Sequence, residues 1–172
     1  MKGKSRKDVL KRHQFADYLN VGTEENPDYV LMGTGFTTLD ENPGAKKSTK
    51  KYVNEASSSS SITSYETAFP FESDLIKDEK AIIALYNVGR NHYTGSDAEF
   101  EYIRVELWNV AEGSKNEFAA RKFIVSAEIS SMKGEDEMSV SGNLNAVGDP
   151  LDGTFNTETR TFTETGSQEV AG

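Results

Sequence analysis

The residue types that carry most protein chemistry are scarce in this chain. It has no cysteine and only two histidines, His13 and His92. Disulfides, thiolate zinc sites and cysteine nucleophiles are therefore excluded, and the two histidines do not indicate a metal site or a catalytic triad. Glu99 and Glu101 lie two apart on a predicted strand and so share one face. Such pairs are expected by chance among 28 acidic residues, and we predict no enzyme activity and no cofactor.

Two further patterns also fail to indicate catalysis. The chain has no GxxxxGK[ST] motif, and Gly33-Thr34-Gly35 lacks the third glycine of a dinucleotide-binding fingerprint. Asp74, Asp78 and Glu79 open a predicted helix, where carboxylates interact favourably with the positive end of the helix dipole. We interpret these acids as structural.

Three aromatic side chains on one predicted strand raise a binding function of a different class. Phe100, Tyr102 and Trp108 could stack on sugar rings in a carbohydrate-binding β-sandwich. They are few and alternate with core positions, however, which favours packing in a core or an interface over sugar binding.

Charge is distributed unevenly along the chain. The net charge is −9, yet residues 1–13 contain six Lys and Arg against one Asp. This segment is predicted to be either a mobile terminus or an arm that docks on an acidic neighbouring subunit. An acidic body argues against general nucleic-acid binding. No apolar run reaches 18 residues, so no membrane span is predicted. The basic N-terminus is not followed by an apolar h-region, so no secretory signal is predicted.

A long hairpin between Phe118 and Phe155 is the strongest structural pattern. Its apolar residues alternate with polar ones on both arms, which predicts one buried face and one wet face. The apolar set is Phe123, Val125, Ala127, Ile129, Met138, Val140, Leu144 and Ala146. Since a long isolated hairpin leaves two rows of backbone groups unpaired, it needs more sheet on both sides.

The other elements complete a single β-rich domain. Strands are predicted at 18–20, 29–32, 62–72 and 99–110, and a weaker hairpin joins Phe155 to Phe162. A helix is predicted at about 74–88, capped by Ser73 or Asp74 and stopped by Gly89. Residues 40–61, with few apolar side chains and the turn Asn42-Pro43-Gly44, are predicted to be a long loop that either moves freely or orders against a partner. The predicted fold is mainly β, a sandwich or half-open barrel with one flanking helix. The basic arm spans 1–17, the domain 18–165 and a tail 166–172.

Three segments, in this order and spacing, resemble the tail tube (major tail) protein of bacteriophages that infect Gram-positive hosts. They are GTGFTTLDENPGAKKSTKKYVN, SITSYETAFPFESDLIKDEKA and GNLNAVGDPLDGTFNTETRTFT. The family is similar in fold to the tubes of contractile tails and of type VI secretion, a β-sandwich with one flanking helix. A contractile phage tail or a phage-derived bacteriocin is the alternative within this resemblance.

The resemblance implies a virion structural protein, assembled in the host cytoplasm, that forms hexameric rings stacked into a hollow tube for double-stranded DNA. Implied partners are further copies of the chain and the tape-measure, tail terminator and baseplate proteins, with no membrane insertion. An inter-ring loop would use Asn42, Pro43, Gly44, Lys46, Lys47, Lys50, Lys51 and Tyr52. The N-terminal arm would use Lys4, Arg6, Lys7, Lys11 and Arg12. An acidic or neutral lumen lets DNA slide, and the candidates to face it are Ser126, Glu128, Ser130, Glu137, Ser139, Ser141, Asn143 and Asn145.

Overall fold

The computed structural model describes residues 7–165 of the 172-residue chain. A short 3-10 helix at Arg12–Gln14 precedes the first strand, and another at Gly95–Ala98 precedes β7. The longer elements are β1 (Phe15–Asn20), β2 (Tyr29–Leu31), β3 (Phe36–Leu39), β4 (Ala45–Lys50), β5 (Ser59–Tyr65), β6 (Ala68–Asp74), α1 (Lys80–Asn91), β7 (Glu99–Val110), β8 (Glu117–Lys133), β9 (Ser139–Ala146), β10 (Leu151–Asn156) and β11 (Thr161–Glu164). The predicted mainly β fold with one flanking helix is confirmed.

One antiparallel sheet runs in the order β2-β1-β7-β8-β9-β6-β3 and curls into a half-barrel. The long strand β8 organises it, because it pairs with β7 along one edge and shares its other edge between β9 and β10. The strands β4 and β5 form a separate two-stranded sheet. The central hairpin predicted from alternation is therefore confirmed as β8 and β9.

The larger core lies between α1 and one face of the sheet. Phe69 packs against Tyr102 and Phe123, with ring centroids 4.7 and 4.9 Å apart. Val125, Ala127, Val140 and Leu144 from the central hairpin are buried in this core, as predicted. Met138 is the exception, because it lies in the turn before β9 and is exposed.

A smaller core occupies the opposite face, where β10 joins β8. Phe155 is fully buried between Tyr18, at 4.5 Å, and Tyr29, at 5.9 Å. Ile103 and Val105 of β7 complete it. Both faces of β7 are thus buried at its centre, which explains its continuous run of buried residues.

The helix differs from its prediction at both ends. Ser73 and Asp74 belong to β6, and the helix begins only at Lys80, after the extended residue Glu79. It continues past Gly89 and ends at Asn91, with His92 in the left-handed conformation. Gly89 is instead a point of close approach, since a Cβ atom there would lie 2.5 Å from Met132 Cε and 2.9 Å from Ile129 Cγ2.

The prediction of a long loop at residues 40–61 is wrong. Residues 45–50 and 59–65 pair as an antiparallel hairpin, and only 51–58 remain as its tip. The strand predicted at 62–72 is correspondingly divided into the end of β5 and most of β6. The sheet also begins at Phe15, so that the last residues of the predicted N-terminal arm belong to β1.

Candidate assembly surfaces

The β4–β5 hairpin, here called the arm, is the most exposed part of the described chain. Every residue from 45 to 65 except Ser48 is exposed, and each arm strand packs chiefly on the other. Apolar side chains are exposed with the rest: Val53 at the tip has no cover, Ile62 is 55% exposed and Tyr65 64% exposed. Since burying such a side chain stabilises a protein by about 1.5–3 kcal/mol, an arm that leaves them in water is suited to contact another molecule.

Ile62 and Tyr65 lie on the same face of the arm. Ile62 opposes Lys47 and Tyr65 opposes Ala45, and these two β4 residues are two apart and so share a face. A bulge after Lys46 accommodates the odd spacing between Ile62 and Tyr65. The predicted inter-ring residues Lys46, Lys47, Lys50, Lys51 and Tyr52 thus lie on the arm or at its tip. Asn42, Pro43 and Gly44 lie at its root.

Backbone hydrogen bonds extend the pairing of the two arm strands through the arm root as far as the main sheet. Asn42 and Ala68 exchange backbone bonds of 2.8 and 2.9 Å, and Glu66 N donates to Gly44 O at 2.9 Å. Gly44 has a φ of 67°, and a Cβ there would lie 2.0 Å from Glu66 O. Only glycine fits this backbone and this approach, so the root has one defined geometry.

An ion pair clamps the chain just before the root. Arg121 on β8 donates two hydrogen bonds to Glu41, at 3.0 and 2.5 Å. These bonds raise the pKa of Arg121 above its ordinary value. A second arginine, Arg104, has its Nε 3.7 Å from the Glu41 carboxylate. Bidentate geometry of this kind fixes orientation as well as proximity.

The clamp continues into a buried network around Asp17. Tyr102 donates a hydrogen bond to Asp17, and the Arg104 guanidinium lies 3.8 Å from the same carboxylate. Burial, followed by the negative charge of Asp17, raises the pKa of Tyr102 well above its usual value. An unpaired buried carboxylate would be costly, and these partners explain how Asp17 is tolerated.

Arg12 is the outermost member of that network. Its guanidinium donates to Asp17 at 2.5 Å and to Leu39 O at 3.2 Å. Arg12 therefore binds its own chain, while half of its side chain remains exposed, and its contact with a neighbouring subunit stays a prediction. Lys7 and Lys11 are exposed, whereas Lys4 and Arg6 lie outside the described residues, as does the predicted tail.

Strands β8, β9 and β6 share a polar face directed away from the larger core. Ser126 opposes Asn145 and Glu128 opposes Asn143, while Asn145 Nδ2 donates to Glu128 at 3.0 Å. Ser139 and Ser141 follow on the same face of β9, and Glu72 and Asp74 extend it across β6. These residues form a continuous surface, here called the polar face, with more acidic than basic side chains.

Two predicted members of the polar face lie elsewhere. Glu137 is in the turn between β8 and β9, at the end of the sheet. Ser130 is the extra residue of a bulge between Ile129 and Ser131, and its hydroxyl donates to Ser141 O at 3.2 Å. Strict alternation predicted a flat strand here, and the bulge shifts the register by one residue.

Of the two acids considered for catalysis, Glu101 makes structural contacts within the fold. This carboxylate accepts hydrogen bonds from Tyr29 at 2.6 Å and from Asn20 at 3.2 Å, and Lys122 lies 3.9 Å away. Burial and the bond to Glu101 raise the pKa of Tyr29. Glu99 is exposed in a neighbouring groove. The arrangement ties β1, β2, β7 and β8 together.

The three aromatic side chains considered for sugar binding do not form an exposed surface. Tyr102 is fully buried, and Phe100 packs against the larger core. Trp108 is exposed but lies where the pairing of β7 is irregular, between Val105 and Val110, with Phe15 6.4 Å from its ring. These three side chains therefore do not form a common platform.

Residues 7–165 contain no group of three or more His, Cys, Asp or Glu side chains arranged to hold a metal ion. No helix in the same range is long and apolar enough to cross a membrane.

Comparison with known proteins leaves the family open. No family model matches the chain, and no curated protein matches it. Among solved structures, a chain of the six-fold symmetrised baseplate of the anti-feeding prophage is similar, with a TM-score of 0.48 and 9% identity. The alignment covers 87% of this chain and 97% of that one. A likeness at this level does not indicate a function.

Proposed function

We propose that this protein is a structural, non-enzymatic subunit of a phage tail tube, which assembles by contacts between copies of itself. Rings of the subunit stack head to tail, and double-stranded DNA passes through the hollow interior. Its further partners are the other tail components, namely the tape-measure, terminator and baseplate proteins. The sequence resemblance to tail tube proteins and the surfaces described above support this proposal.

The projecting arm is the observation that carries it. An isolated two-stranded hairpin is marginally stable in water. This arm is nevertheless given a single exit direction by Gly44, the Asn42–Ala68 ladder and the Glu41–Arg121 clamp. A rigid root beneath an exposed hairpin is expected where the arm must reach a second molecule in a defined orientation.

The open edges of the curled sheet favour lateral association. In the described chain β2 pairs only with β1, and β3 pairs only with β6. Each outer strand therefore presents backbone donors and acceptors that a neighbouring strand can satisfy. A ring of copies would cover such edges, and a ring that stacks uses head-to-tail contacts as well.

The polar face is the proposed lining of the tube. Apart from Lys133, which opposes Ser139, its serines, asparagines and carboxylates offer DNA no cationic surface through which counterions are released on binding. Because screening limits the reach of a charge to about 8 Å at physiological salt, the wall residues decide whether DNA is held. Glu128 is central to this face and is our reference residue for it.

Self-assembly of the purified full-length chain tests the proposal. We expect rings or hollow tubes in negative-stain electron micrographs at high concentration, with a matching rise in light scattering. The informative variant joins Ala45 directly to Tyr65, which are Cα partners, through a two-residue Asn-Gly turn. We expect this armless chain to keep a cooperative thermal unfolding transition while losing stacked tubes. Armless chains that stack like the wild type would overturn the role of the arm.

A further inference from the structure

A groove lies at the opposite end of the sheet from the arm root. Its floor is apolar and consists of Leu75, Ile76, Ile83, Tyr86 and Met138, and its volume is about 620 Å³. Met138 is 45% exposed, and the backbone beneath is fixed by a hydrogen bond of 2.8 Å from Leu75 N to Met138 O. The groove is thus a formed surface between the helix and the β8–β9 turn.

The strand register places this groove and the arm root at the two ends of the same strands. Ala68 opposes Asn145 beside the arm root, whereas Asp74 opposes Ser139 beside the groove. Six residues of β6 separate these positions, which corresponds to about 20 Å at the usual rise of a strand. A molecule with a protrusion at one end and a recess at the other is suited to head-to-tail association.

The charges of the two surfaces are complementary. The arm, residues 45–65, has four lysines and one glutamate, a net charge of +3. The segments that border the groove, 74–80 and 133–138, together have six acidic residues and three lysines, a net charge of −3. Both surfaces also combine charge with exposed apolar side chains, since the arm tip presents Tyr52 and Val53.

From these observations we infer that the arm tip of one copy docks in this groove of the next copy. Val53 and Tyr52 cover the apolar floor, and the arm lysines lie along the acidic border of Asp74 and Glu137. The contact gives each stacked layer the same polarity as the one below. This inference rests on the proposed self-assembly and adds the surface that receives the arm.

The absence of cysteine makes a direct test possible. The double variant Val53→Cys/Met138→Cys places one thiol on the arm tip and one in the groove. Treatment with a short bifunctional maleimide is expected to give a ladder of covalent oligomers on a denaturing gel. The matched control is Val53→Cys/Val147→Cys, in which the second thiol is similarly exposed but lies next to the arm root. We expect at least tenfold less ladder from the control.

A charge exchange provides the second readout. Lys50→Glu/Lys51→Glu on the arm, or Asp74→Lys/Glu137→Lys at the groove, should each weaken stacking at low salt, and combining all four changes should restore it. Tubes in the micrographs without a Val53–Met138 ladder and without charge rescue would overturn the groove while leaving the proposed tube intact. Absence of any assembly by the wild type, at every concentration tested, would overturn both.

Discussion

Glu41 and Arg121 are 80 residues apart in sequence and are joined by two hydrogen bonds of 3.0 and 2.5 Å. Glu41 immediately precedes the arm root, and Arg121 lies on the central strand β8. The pair therefore connects the most exposed element of the described chain to the central strand of its sheet. Arm direction is set through this contact.

Replacing Glu41 by Gln should loosen the arm base. The change removes the negative charge and one of the two acceptor positions, and it leaves Arg121 and Arg104 facing a neutral side chain. Because the pair is only partly exposed, we expect a loss of about 1–2 kcal/mol in the free energy of unfolding. Urea denaturation measures it, with Glu55→Gln at the arm tip as control. Equal midpoints for the two variants would show that the clamp does not stabilise the fold.

Replacing Gly44 by Ala should distort the arm root. The new Cβ meets Glu66 O, and the residue must also keep a φ of 67°. A suitable control is Gly113→Ala, where φ is 83° but no atom lies within 4 Å. In both variants, alanine at a positive φ lowers the free energy of unfolding by about 1–2 kcal/mol. Only Gly44→Ala should in addition increase amide exchange along residues 45–65 and reduce tube formation. Equal exchange along the arm in the two variants would contradict the steric argument.

Replacing Gly89 by Ala should destabilise the protein even though alanine favours helix. Helix propensity alone predicts a gain of about 1 kcal/mol. The close approach to Met132 and Ile129 requires the helix to move away from β8, and overpacking of this kind costs about 1–3 kcal/mol. We expect a lower thermal midpoint. A higher midpoint would mean that the helix can shift without loss of packing.

Alkaline pH should unfold the protein through its buried tyrosines. Burial raises the pKa of Tyr18, Tyr29 and Tyr102, whereas in the unfolded chain each ionises near pH 10. A raised pKa in the folded state contributes stability that is present below pH 10 and is lost as the pH rises above it. Urea midpoints between pH 8 and 11 measure this loss. Tyr102→Phe should reduce the slope, while Tyr65→Phe on the exposed arm should leave it unchanged; identical slopes would contradict the assignment.

Replacing Glu128 by Lys should make assembled tubes retain DNA. A lysine at this position, repeated in every copy, supplies cations from which DNA releases counterions, so retention should fall steeply as salt is raised. Co-sedimentation of tubes with linear double-stranded DNA measures it. Glu112→Lys has the same charge change in the exposed β7–β8 turn and serves as control. Equal retention by both variants would place the polar face outside the lumen.

The β8–β9 hairpin and the Phe155–Phe162 hairpin could be predicted from sequence because period-two alternation directly reports which side chains a sheet buries. The start of α1 is harder to predict from the sequence. The sequence predicts its first turn six residues too early, because the charge-rich stretch from 74 to 80 is compatible with a helix start or with a strand end followed by a turn. Gly89 is ambiguous for a related reason, since a glycine that ends a helix and one that allows close packing cannot be distinguished without the neighbouring strand.

The chain by itself determined the β-rich class, the central hairpin, the absence of thiol chemistry and the concentration of positive charge outside an acidic body. These follow from composition and local periodicity, which need no distant partner. Only the tertiary structure decided that residues 45–65 form an arm, because residues 45–61 have few apolar side chains and no apolar periodicity to indicate a strand. It also decided that Glu41 meets Arg121 and that the arm and the groove lie at opposite ends of β6. Such relationships depend on which strands become neighbours, and that is determined by packing between segments far apart in sequence.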